Sequence, residues 1–562
     1  MVSTAERFLQ RLGRRGVPYL FGNAGTDAAP LIEAYAKCER GGANVPQPII
    51  ATHENLAVSM AHGYAMVSGK LPAVFVHVSV GTANAACAIM NAARENIPIL
   101  FTAGRTPLYE DDTTGSRDSY IHWGQEMFDQ ASLVREFVKW DYELRGGNQV
   151  DTVVDRAASI AMSEPQGPVY LTLPREVLAE PYSGKEEAPP PLVAALPPQP
   201  HPQGVAEAAN ILAGAERPLI VAGNCGRDLE AFGKLAAFAE RFAIPVVQHR
   251  SRYLPLPSDH SMHLGFDPGP LVCEADAILV LEADVPWVPK RSPLKPGCKA
   301  IHVGHDPLFG RIPIRGFQCD LALTSGTAAM LDALTAEMEA IVPEGHVAPR
   351  REWVAAERRK LMEKRSKALS TLRSARPIHP AWVSHCLGEA KGESAIAINE
   401  YTLMPDHCEF REAGTYFGSS SASGLGWGMG TALGAKLAEP DRLVICVQGD
   451  GAYLFSNPVA GHYASSQHKL PVLFVVVNNG MWNAVRAATL TVYPDGAASA
   501  SNRNALTMLD GLPAFEEVCR ASGGYGERVE DPEDLPKAIE RALHAVQIEK
   551  RQALLNIICQ PR

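Results

Sequence analysis

The feature that most constrains the fold is a regular alternation of short β-branched runs with alanine-rich helical patterns along the whole chain. The apolar runs are PAVFVHV, IPILFTAG and PVYLTLP in the first third, PLIVAG, AILVLEAD and KAIHVG in the middle, and RLVICVQGDG, PVLFVVVNN and ALLNIIC in the last third. Strands that are apolar throughout and alternate with helices are typical of parallel sheets covered on both faces. The pattern therefore predicts an α/β protein with three doubly wound parallel-sheet domains.

Two breaks in composition divide the chain, which at 562 residues is too long for a single core. The proline-rich stretch EEAPPPLVAALPPQP predicts an extended linker at 186–200. A basic stretch, PRREWVAAERRKLMEKRSKALSTL, predicts a solvated helical linker within 346–375. We therefore expect domains at 1–185, 201–345 and 376–562.

Composition excludes several classes of protein. Hydrophobic residues make up 46% of the chain and charged residues 20%, which is typical of a globular protein. The formal net charge of −10 argues against binding to nucleic acid or to an anionic membrane. The eleven cysteines include no C-x-x-C pair, so neither a disulfide framework nor a zinc site is indicated. The N-terminal segment has no apolar signal core, and no apolar run approaches the ~18–20 residues that span a bilayer, so we expect a cytoplasmic protein.

Polar residues follow two of the apolar runs in the last third. LVICVQ is followed by Gly449, Asp450 and Gly451, and LFVVV by Asn478 and Asn479. Because carboxyl ends of parallel strands share one edge of a sheet, we expect both motifs at that edge, on neighbouring strands. Carboxylate, amide and carbonyl oxygens suit Mg²⁺, and the glycines allow backbone N–H groups to approach a diphosphate. Either motif alone would indicate only a turn or a strand cap.

Together these motifs resemble those of the thiamin diphosphate enzymes of the 2-keto acid decarboxylase and acetolactate synthase superfamily, and the resemblance covers essentially the whole chain. It implies a pyrimidine-binding domain, a middle domain and a diphosphate-binding domain, in that order. It also implies that Asp450, Asn479 and the backbone carbonyl of Met481 hold Mg²⁺, whereas Asn478 acts as a structural cap.

A second family feature is the glutamate in ATHENLAVSMAHGYAMVSGK. The resemblance implies that Glu54 hydrogen-bonds the pyrimidine ring of the cofactor and favours the tautomer that removes the C2 proton to give the ylid. Without the resemblance, a glutamate near the start of a helix would be read as a surface residue that compensates the helix dipole.

Further cofactor contacts are implied by the same resemblance. In SSSASGLGWGMGTALGAKLA, Leu425 occupies the position of the apolar residue that supports the bent form of the cofactor, and Thr402 in INEYTLM is expected to contact the diphosphate. The expected cofactor-binding set is completed by Asn23, Gly25, Gly449 and Gly451.

The first domain most resembles benzoylformate decarboxylases. In YLFGNAGTDAAPL, Thr26 replaces a catalytic serine, and VFVHVSVGTANA places His77 where those enzymes have an active-site histidine, a natural acid or base near neutral pH. The stretch 281–297 lacks their second histidine. The Gln–Glu pair in IHWGQEMFDQ instead resembles acetolactate synthases and pyruvate oxidases, so Gln125 is expected to point into the site. The turn that contains Asn479 and Met481 is called the metal turn below. The segment that follows it, AVRAATLTVYPDGAASASNRN, also departs from the benzoylformate decarboxylase pattern, so the identity of the substrate is left open.

The resemblance implies a thiamin diphosphate- and Mg²⁺-dependent lyase that adds a C2 ylid to a 2-keto acid, expels CO₂ and leaves an enamine. Protonation of the enamine would give an aldehyde, and its attack on a second carbonyl a 2-hydroxyketone. The alternatives are an acetolactate synthase-like enzyme, a lyase of 2-hydroxyacyl-CoA or acyloin substrates, an oxidase that also binds FAD, and a non-catalytic homologue. The cofactor is expected between two chains, with Glu54 from one and Asp450 from the other, so the site requires a dimer, and we expect a homotetramer.

Overall fold

The computed structural model describes residues 2–185, 190–342, 344–501 and 504–561. Residues 186–189 of the predicted linker and residues 502–503 of the segment after the metal turn lie outside the described residues. The described chain forms three parallel sheets, of six, five and six strands. The predicted α/β class with three parallel-sheet domains is therefore confirmed. No helix in these ranges is both long and apolar enough to cross a membrane.

The first sheet has the strand order β2-β1-β3-β4-β6-β5. Its strands are β1 (Tyr19–Gly22), β2 (Gln47–Ile50), β3 (Ala73–Val76), β4 (Leu100–Arg105), β5 (Asp141–Glu143) and β6 (Val169–Pro174). The helices around it are α1 (Thr4–Arg14), α2 (Ala29–Gly41), α3 (Glu54–Ser68), α4 (Val78–Arg94), α5 (Ile121–Gly124), α6 (Val150–Met162) and α7 (Arg175–Ala179), with 3₁₀ turns at Thr26–Ala28, Gln130–Leu133 and Gly147–Gln149.

The middle sheet has the order β11-β10-β9-β7-β8. Its elements are α8 (Pro202–Gly214), β7 (Pro218–Ala222), a 3₁₀ turn (Cys225–Arg227), α9 (Leu229–Phe242), β8 (Val246–Gln248), α10 (Gly269–Glu274), β9 (Ala277–Leu281), β10 (Lys299–Gly304), β11 (Leu321–Thr324) and α11 (Thr327–Ile341). The long basic helix α12 (Glu344–Leu372) follows. It begins before Pro349, which lies inside the helix although prolines normally mark a helix boundary.

The third sheet has the order β13-β12-β14-β15-β17-β16. Its strands are β12 (Ile396–Glu400), β13 (Tyr416–Gly418), β14 (Val444–Gly449), β15 (Leu473–Asn478), β16 (Tyr525–Val529) and β17 (Ala553–Ile558). Its helices are α13 (Pro380–Ala390), α14 (Trp427–Ala438), α15 (Asp450–Phe455), α16 (Pro458–Gln467), α17 (Asn483–Val492), α18 (Ala497–Ser501), α19 (Phe515–Ala521) and α20 (Leu535–Gln547), with a 3₁₀ turn at Pro405–His407.

The strands are apolar throughout because each of them packs on both faces. Successive side chains of a strand point to opposite faces, so a strand contributes to two cores. In β3, Val74 and Val76 join one core, and Ala73 and Phe75 join another. The core that contains Val74 also contains Ile398 of the third sheet, so the first and third domains share it.

Glycines on α3 and α14 allow these two helices to meet backbone to backbone within the shared core. A Cβ atom on Gly63 of α3 would lie 2.0 Å from the carbonyl oxygen of Thr431, and one on Gly434 of α14 would lie 1.9 Å from that of Met60. Only a residue without a side chain permits so close an approach. This contact fixes the first domain against the third.

Candidate active site

The carboxyl edge of the first sheet carries most of the site residues predicted in that domain. β1 lies between β2 and β3, and all three strands are parallel, so their carboxyl ends meet at one edge. Asn23, Gly25 and Thr26 follow β1, Glu54 begins the helix after β2, and His77 directly follows β3. Thr26 is exposed and opens a 3₁₀ turn. The structure thus brings these five residues together.

Glu54 is a buried carboxylate held by amides. Its exposed fraction is only 7%. Its Oε1 accepts a hydrogen bond from Asn23 Nδ2 at 3.4 Å, and its Oε2 accepts one from Asn84 Nδ2 at 3.1 Å. Within the ranges given above, no lysine or arginine forms an ion pair with it. Asn84 was not predicted, because one polar residue in an alanine-rich helix gives no signal in the sequence.

His77 is the N-cap of α4 and lies between two polar side chains. Its Nδ1 is 2.5 Å from Oδ1 of Asp27, and its Nε2 is 3.2 Å from Nε2 of Gln125. The hydrogen bond to Asp27 raises the pKa of His77 above its ordinary value, against the opposing effect of burial. Asp27 is itself buried and was not predicted from the sequence. Gln125, which was expected to point into the site, contacts His77.

Gln125 lies in a loop that is fixed in position by several ion pairs and hydrogen bonds. Ser79 Oγ donates to the backbone carbonyl of Gln125 at 2.7 Å. The next residue, Glu126, pairs with Arg105 and Arg117, each at 2.5 Å. The loop therefore has a defined position although much of it is exposed.

In the third domain, β14 and β15 are adjacent and parallel, as predicted for the strands that precede the two polar motifs. Asp450 is 3% exposed, and its two carboxylate oxygens accept hydrogen bonds from the backbone N–H groups of Gly451, at 2.8 Å, and Gly480, at 2.7 Å. Burial raises the pKa of Asp450 despite these donors. No basic side chain of the described chain pairs with it. A buried carboxylate without a counter-charge suits a bound cation.

The turn after β15 separates the two asparagines. Asn478 is buried, donates to Asn556 Oδ1 at 3.0 Å and accepts from Gly480, so it is committed to the protein. Asn479 is half-buried, and among the described residues its Oδ1 accepts only the short-range N–H of Met481, at 3.1 Å. The described residues contain no group of three or more His, Cys, Asp or Glu side chains placed to hold a metal. A metal here would instead use one carboxylate with amide and carbonyl oxygens, which is a donor set that Mg²⁺ accepts.

One further observation fits a diphosphate at the same edge. The Oγ1 of Thr402 is buried and has no hydrogen-bond partner in the described part of the chain. Thr402 lies beside Gly449, since a Cβ atom on that glycine would be 3.4 Å from the threonine Cγ2. Gly451 faces the indole of Trp482, where a Cβ atom would be 2.1 Å from the ring. An unsatisfied buried hydroxyl calls for a ligand or a water molecule.

Leu425 lies in a turn that both domains hold in place. The peptide of Gly424 is bracketed by Asn91 of α4, which donates to its carbonyl at 2.9 Å and accepts from its N–H at 3.1 Å. After Leu425, the buried carboxylate of Glu400 accepts from the N–H groups of three successive residues, Gly426 to Gly428, at 2.8–3.2 Å. Neither Asn91 nor Glu400 was predicted, because their contacts join distant parts of the sequence.

The site residues thus form two groups, one in each outer domain. Among the described residues, no hydrogen bond or ion pair joins Glu54 or His77 to Asp450 or Asn479. Each group presents its polar side chains at the carboxyl edge of its own sheet. A single chain therefore provides two halves of a site that are not in direct polar contact.

Models of one protein family match three segments of the chain. The match is "Thiamine pyrophosphate enzyme, N-terminal TPP binding domain" over residues 2–133, the central domain over 205–334 and the "C-terminal TPP binding domain" over 399–557. Thiamine pyrophosphate and TPP are other names for thiamin diphosphate. The three matched segments follow the order of the three sheets.

Individual proteins are similar over nearly the full length. The chain is 28% identical to a benzoylformate decarboxylase of Pseudomonas aeruginosa, covering 95% of each chain. It is 24% identical to an acetolactate synthase large subunit of Haemophilus influenzae, covering 96% of this chain and 92% of the other. Among solved structures, the thiamine diphosphate-dependent 4-hydroxybenzoylformate decarboxylase of Rhodococcus jostii RHA1 has a TM-score of 0.79, with 22% identity and coverage of 100% and 99%. The benzoylformate decarboxylase of Polynucleobacter necessarius has a TM-score of 0.80 at the same identity and coverage.

Proposed function

Because the chain belongs to the thiamine pyrophosphate enzyme family, we propose that it is a thiamin diphosphate- and Mg²⁺-dependent, non-oxidative lyase acting on a 2-keto acid. The reaction would break the carbon–carbon bond to the carboxyl group and release CO₂ and an aldehyde. With a second carbonyl compound as acceptor, the product would be a 2-hydroxyketone. We also propose the domain limits 1–185, 201–345 and 376–562 for its pyrimidine-binding, middle and diphosphate-binding domains.

The observation that carries this proposal is the environment of Glu54. A buried carboxylate held by Asn23 and Asn84, and by no cation of the described chain, can accept a further hydrogen bond from a ring N–H group of a ligand. His77 lies at the same edge and provides a group that can hold or release a proton. A carboxylate and an imidazole side by side suit a reaction that moves protons during carbon–carbon cleavage.

The third domain would hold the diphosphate and the metal. Mg²⁺ would be bound by Asp450, Asn479 and the carbonyl of Met481. The support for this site is the buried carboxylate of Asp450, which forms no ion pair with a basic side chain of the described residues. The diphosphate would lie at Gly449 and Gly451 and would accept a hydrogen bond from Thr402, which lies beside Gly449 and whose hydroxyl has no partner in the described residues. Leu425 would support the ring system of the cofactor. When bound, the cofactor supplies the electron sink for the cleavage, and the protein supplies placement and proton transfer.

His77, Thr26 and Gln125 would face the substrate. His77 would act as the acid or base, Thr26 would offer a hydroxyl to the substrate carboxylate, and Gln125 would orient the imidazole. Near the metal turn, Trp482 packs edge-on against Phe455, with ring centroids 5.6 Å apart. These aromatic rings favour a bulky and apolar 2-keto acid, in line with the names of the decarboxylases to which the chain is similar.

The two groups of site residues support a site shared between chains. We propose that a homodimer, assembled further into a tetramer, joins the Glu54 group of one chain to the Asp450 group of its partner. Sedimentation analysis would test this assembly, and a monomer that is fully active would contradict it. Alternative reactions on the same site are acetolactate synthesis and cleavage of acyloins or 2-hydroxyacyl-CoA substrates, for which Gln125 beside His77 is the favouring observation.

The experiment that tests the function is a substrate panel with purified protein, thiamin diphosphate and Mg²⁺. Pyruvate, benzoylformate, branched-chain 2-keto acids, acyloins and 2-hydroxyacyl-CoA thioesters would be scored for CO₂ and for aldehyde, with and without an acceptor aldehyde. We expect CO₂ release from a bulky 2-keto acid. Glu54→Gln is expected to abolish turnover, whereas Glu33→Gln, which removes a carboxylate on the exposed face of α2, is the matched control.

Three results would redirect the proposal. Full activity of Glu54→Gln would contradict the assignment of the site. The visible absorption band of an oxidised flavin in the purified protein would favour the FAD-assisted oxidase instead. Absence of thiamin diphosphate binding by calorimetry in the presence of Mg²⁺ would favour a non-catalytic homologue.

A further inference from the structure

We propose that Asp27 is a positioning residue that fixes His77 with its proton on Nδ1 and directs Nε2 toward Gln125 and the substrate. This inference rests on the proposed function only in giving His77 a proton to transfer. The orientation of the ring itself is a property of the folded protein.

The contact between Asp27 and His77 is short and enclosed. Asp27 Oδ1 lies 2.5 Å from His77 Nδ1, and the Asp27 side chain is 3% exposed. Its other oxygen, Oδ2, accepts the N–H of Val78 at 3.4 Å, the first residue of α4. Since a carboxylate can only accept, the imidazole nitrogen facing it must carry the proton. Nε2 of the neutral ring is then the free acceptor, and Gln125 Nε2 donates to it at 3.2 Å.

Two glycines make room for this pair of side chains. A Cβ atom on Gly25 would lie 2.0 Å from His77 Nδ1, and one on Gly104 would lie 1.6 Å from Asp27 Oδ2. Any side chain at either position would displace the imidazole or the carboxylate. The space is therefore shaped for the pair, which distinguishes it from a chance contact between neighbouring polar residues.

Protonation of His77 would change its relation to Gln125. With a proton on both nitrogens, the ring can only donate, so Gln125 must then present its amide oxygen instead of its nitrogen. That oxygen, Oε1, is buried and has no hydrogen-bond partner in the described residues. A half-turn of the amide would bring it to Nε2. Gln125 can thus accommodate both protonation states of the ring while Asp27 holds the other nitrogen unchanged.

The charged and titratable groups around His77 are Asp27, Glu54 and His122. Both carboxylates favour the charged imidazole, and the hydrogen bond to Asp27 is the largest effect that raises the pKa of His77. The pKa of His122 is lowered, chiefly by burial, so this second imidazole is less readily charged than an exposed histidine. Removal of the Asp27 charge should therefore be the single change that most lowers the pKa of His77.

The test is the pKa of His77 itself, measured by hydrogen–deuterium exchange at the imidazole C2 position with peptide mass spectrometry. The wild-type holoenzyme is expected to show a pKa for His77 above that of exposed histidines. In Asp27→Asn, which keeps the size of the side chain, this pKa is expected to fall, and kcat to drop roughly tenfold to hundredfold with little change in KM. Glu33→Gln, which removes an exposed carboxylate of the same domain, should change neither.

Equal pKa values of His77 in the wild type and in Asp27→Asn would overturn the proposal. So would a wild-type pKa at or below that of exposed histidines, a result that needs no variant and holds if Asp27→Asn does not fold. The exchange measurement is independent of the substrate. A protein that fails the substrate panel but shows the predicted shift would lose the proposed function and keep the role of Asp27.

Discussion

Gly434→Ala should weaken the contact between the first and third domains, because the backbone of Gly434 touches α3 directly. A Cβ atom at this position would lie 1.9 Å from the carbonyl oxygen of Met60 and 2.7 Å from the backbone nitrogen of Tyr64. An ordinary contact is 3.4 Å or more, so α14 would have to retreat by about 1.5 Å. The obstructing atoms belong to the backbone of α3 and cannot rotate away as the end of a side chain could.

The expected magnitude combines two opposing effects. Alanine is favoured over glycine inside a helix by about 1 kcal/mol. Overpacking of a rigid contact costs up to about 3 kcal/mol, so the net loss in the free energy of unfolding should be about 2 kcal/mol. Urea unfolding followed by tryptophan fluorescence is a suitable assay, since Trp427 begins α14 and is buried in the shared core.

Gly233→Ala is the matched control. Gly233 lies in the exposed face of α9, and a Cβ atom there would meet no atom within 4 Å. This substitution should stabilise the protein by roughly 0.5–1 kcal/mol through helix propensity alone. If Gly434→Ala stabilised the protein as much as Gly233→Ala, the backbone contact between α3 and α14 would not exist as described.

Three further predictions concern other buried groups. Glu400→Gln is expected to lower the free energy of unfolding by about 1–3 kcal/mol, because the amide nitrogen of glutamine cannot accept a hydrogen bond and would leave one of the three backbone N–H groups now bound by the Glu400 carboxyl group unsatisfied. Urea unfolding should show no such loss for the exposed Glu389→Gln, and equal stabilities of the two variants would contradict the reasoning. Asp450→Asn is expected to abolish Mg²⁺-dependent binding of thiamin diphosphate in calorimetry, because Asp450 is the buried carboxylate of the proposed metal site. The control variant Asp495→Asn, which changes an exposed residue, should bind the cofactor normally. Cofactor binding by Asp450→Asn would show that Asp450 is not part of the metal site. Burial lowers the pKa of His462 to about 4, so between about pH 4 and pH 6.5 this side chain takes up a proton only in the unfolded chain. The free energy of unfolding should therefore fall as the pH falls through this range, by at most about 3 kcal/mol. His462→Gln should flatten this pH dependence in unfolding measurements, and an unchanged slope would refute the assignment.

The architecture and the positions of the two polar motifs could be predicted because they depend on local patterns. The apolar runs mark strands buried on both faces, and their carboxyl ends must meet at one edge. The pairing of β14 with β15 therefore follows from the sequence around Asp450 and Asn479. Between these motifs the chain forms two helices, α15 and α16.

The partners of the site residues could not be predicted, because no periodic pattern encodes them. Asp27 looks like a polar residue near the start of a helix, and its contact with His77 bridges 50 residues of chain. Asn84 and Asn91 stand in an alanine-rich helix with no sign that one reaches Glu54 and the other the turn before Leu425. Such contacts depend on how the sheets are wound and on how the two outer domains pack.

Helix α4 physically connects residues of the two halves of the proposed site. His77 directly precedes the helix, Asn84 on its second turn holds Glu54, and Asn91 on its last turns holds the peptide before Leu425. From its first residue to Asn91 the helix spans about 20 Å. In the proposed dimer, His77 and Glu54 would serve one cofactor and Leu425 the other. A displacement of α4 when substrate binds at one site would therefore reach the second site, and the two sites of a dimer should communicate during turnover.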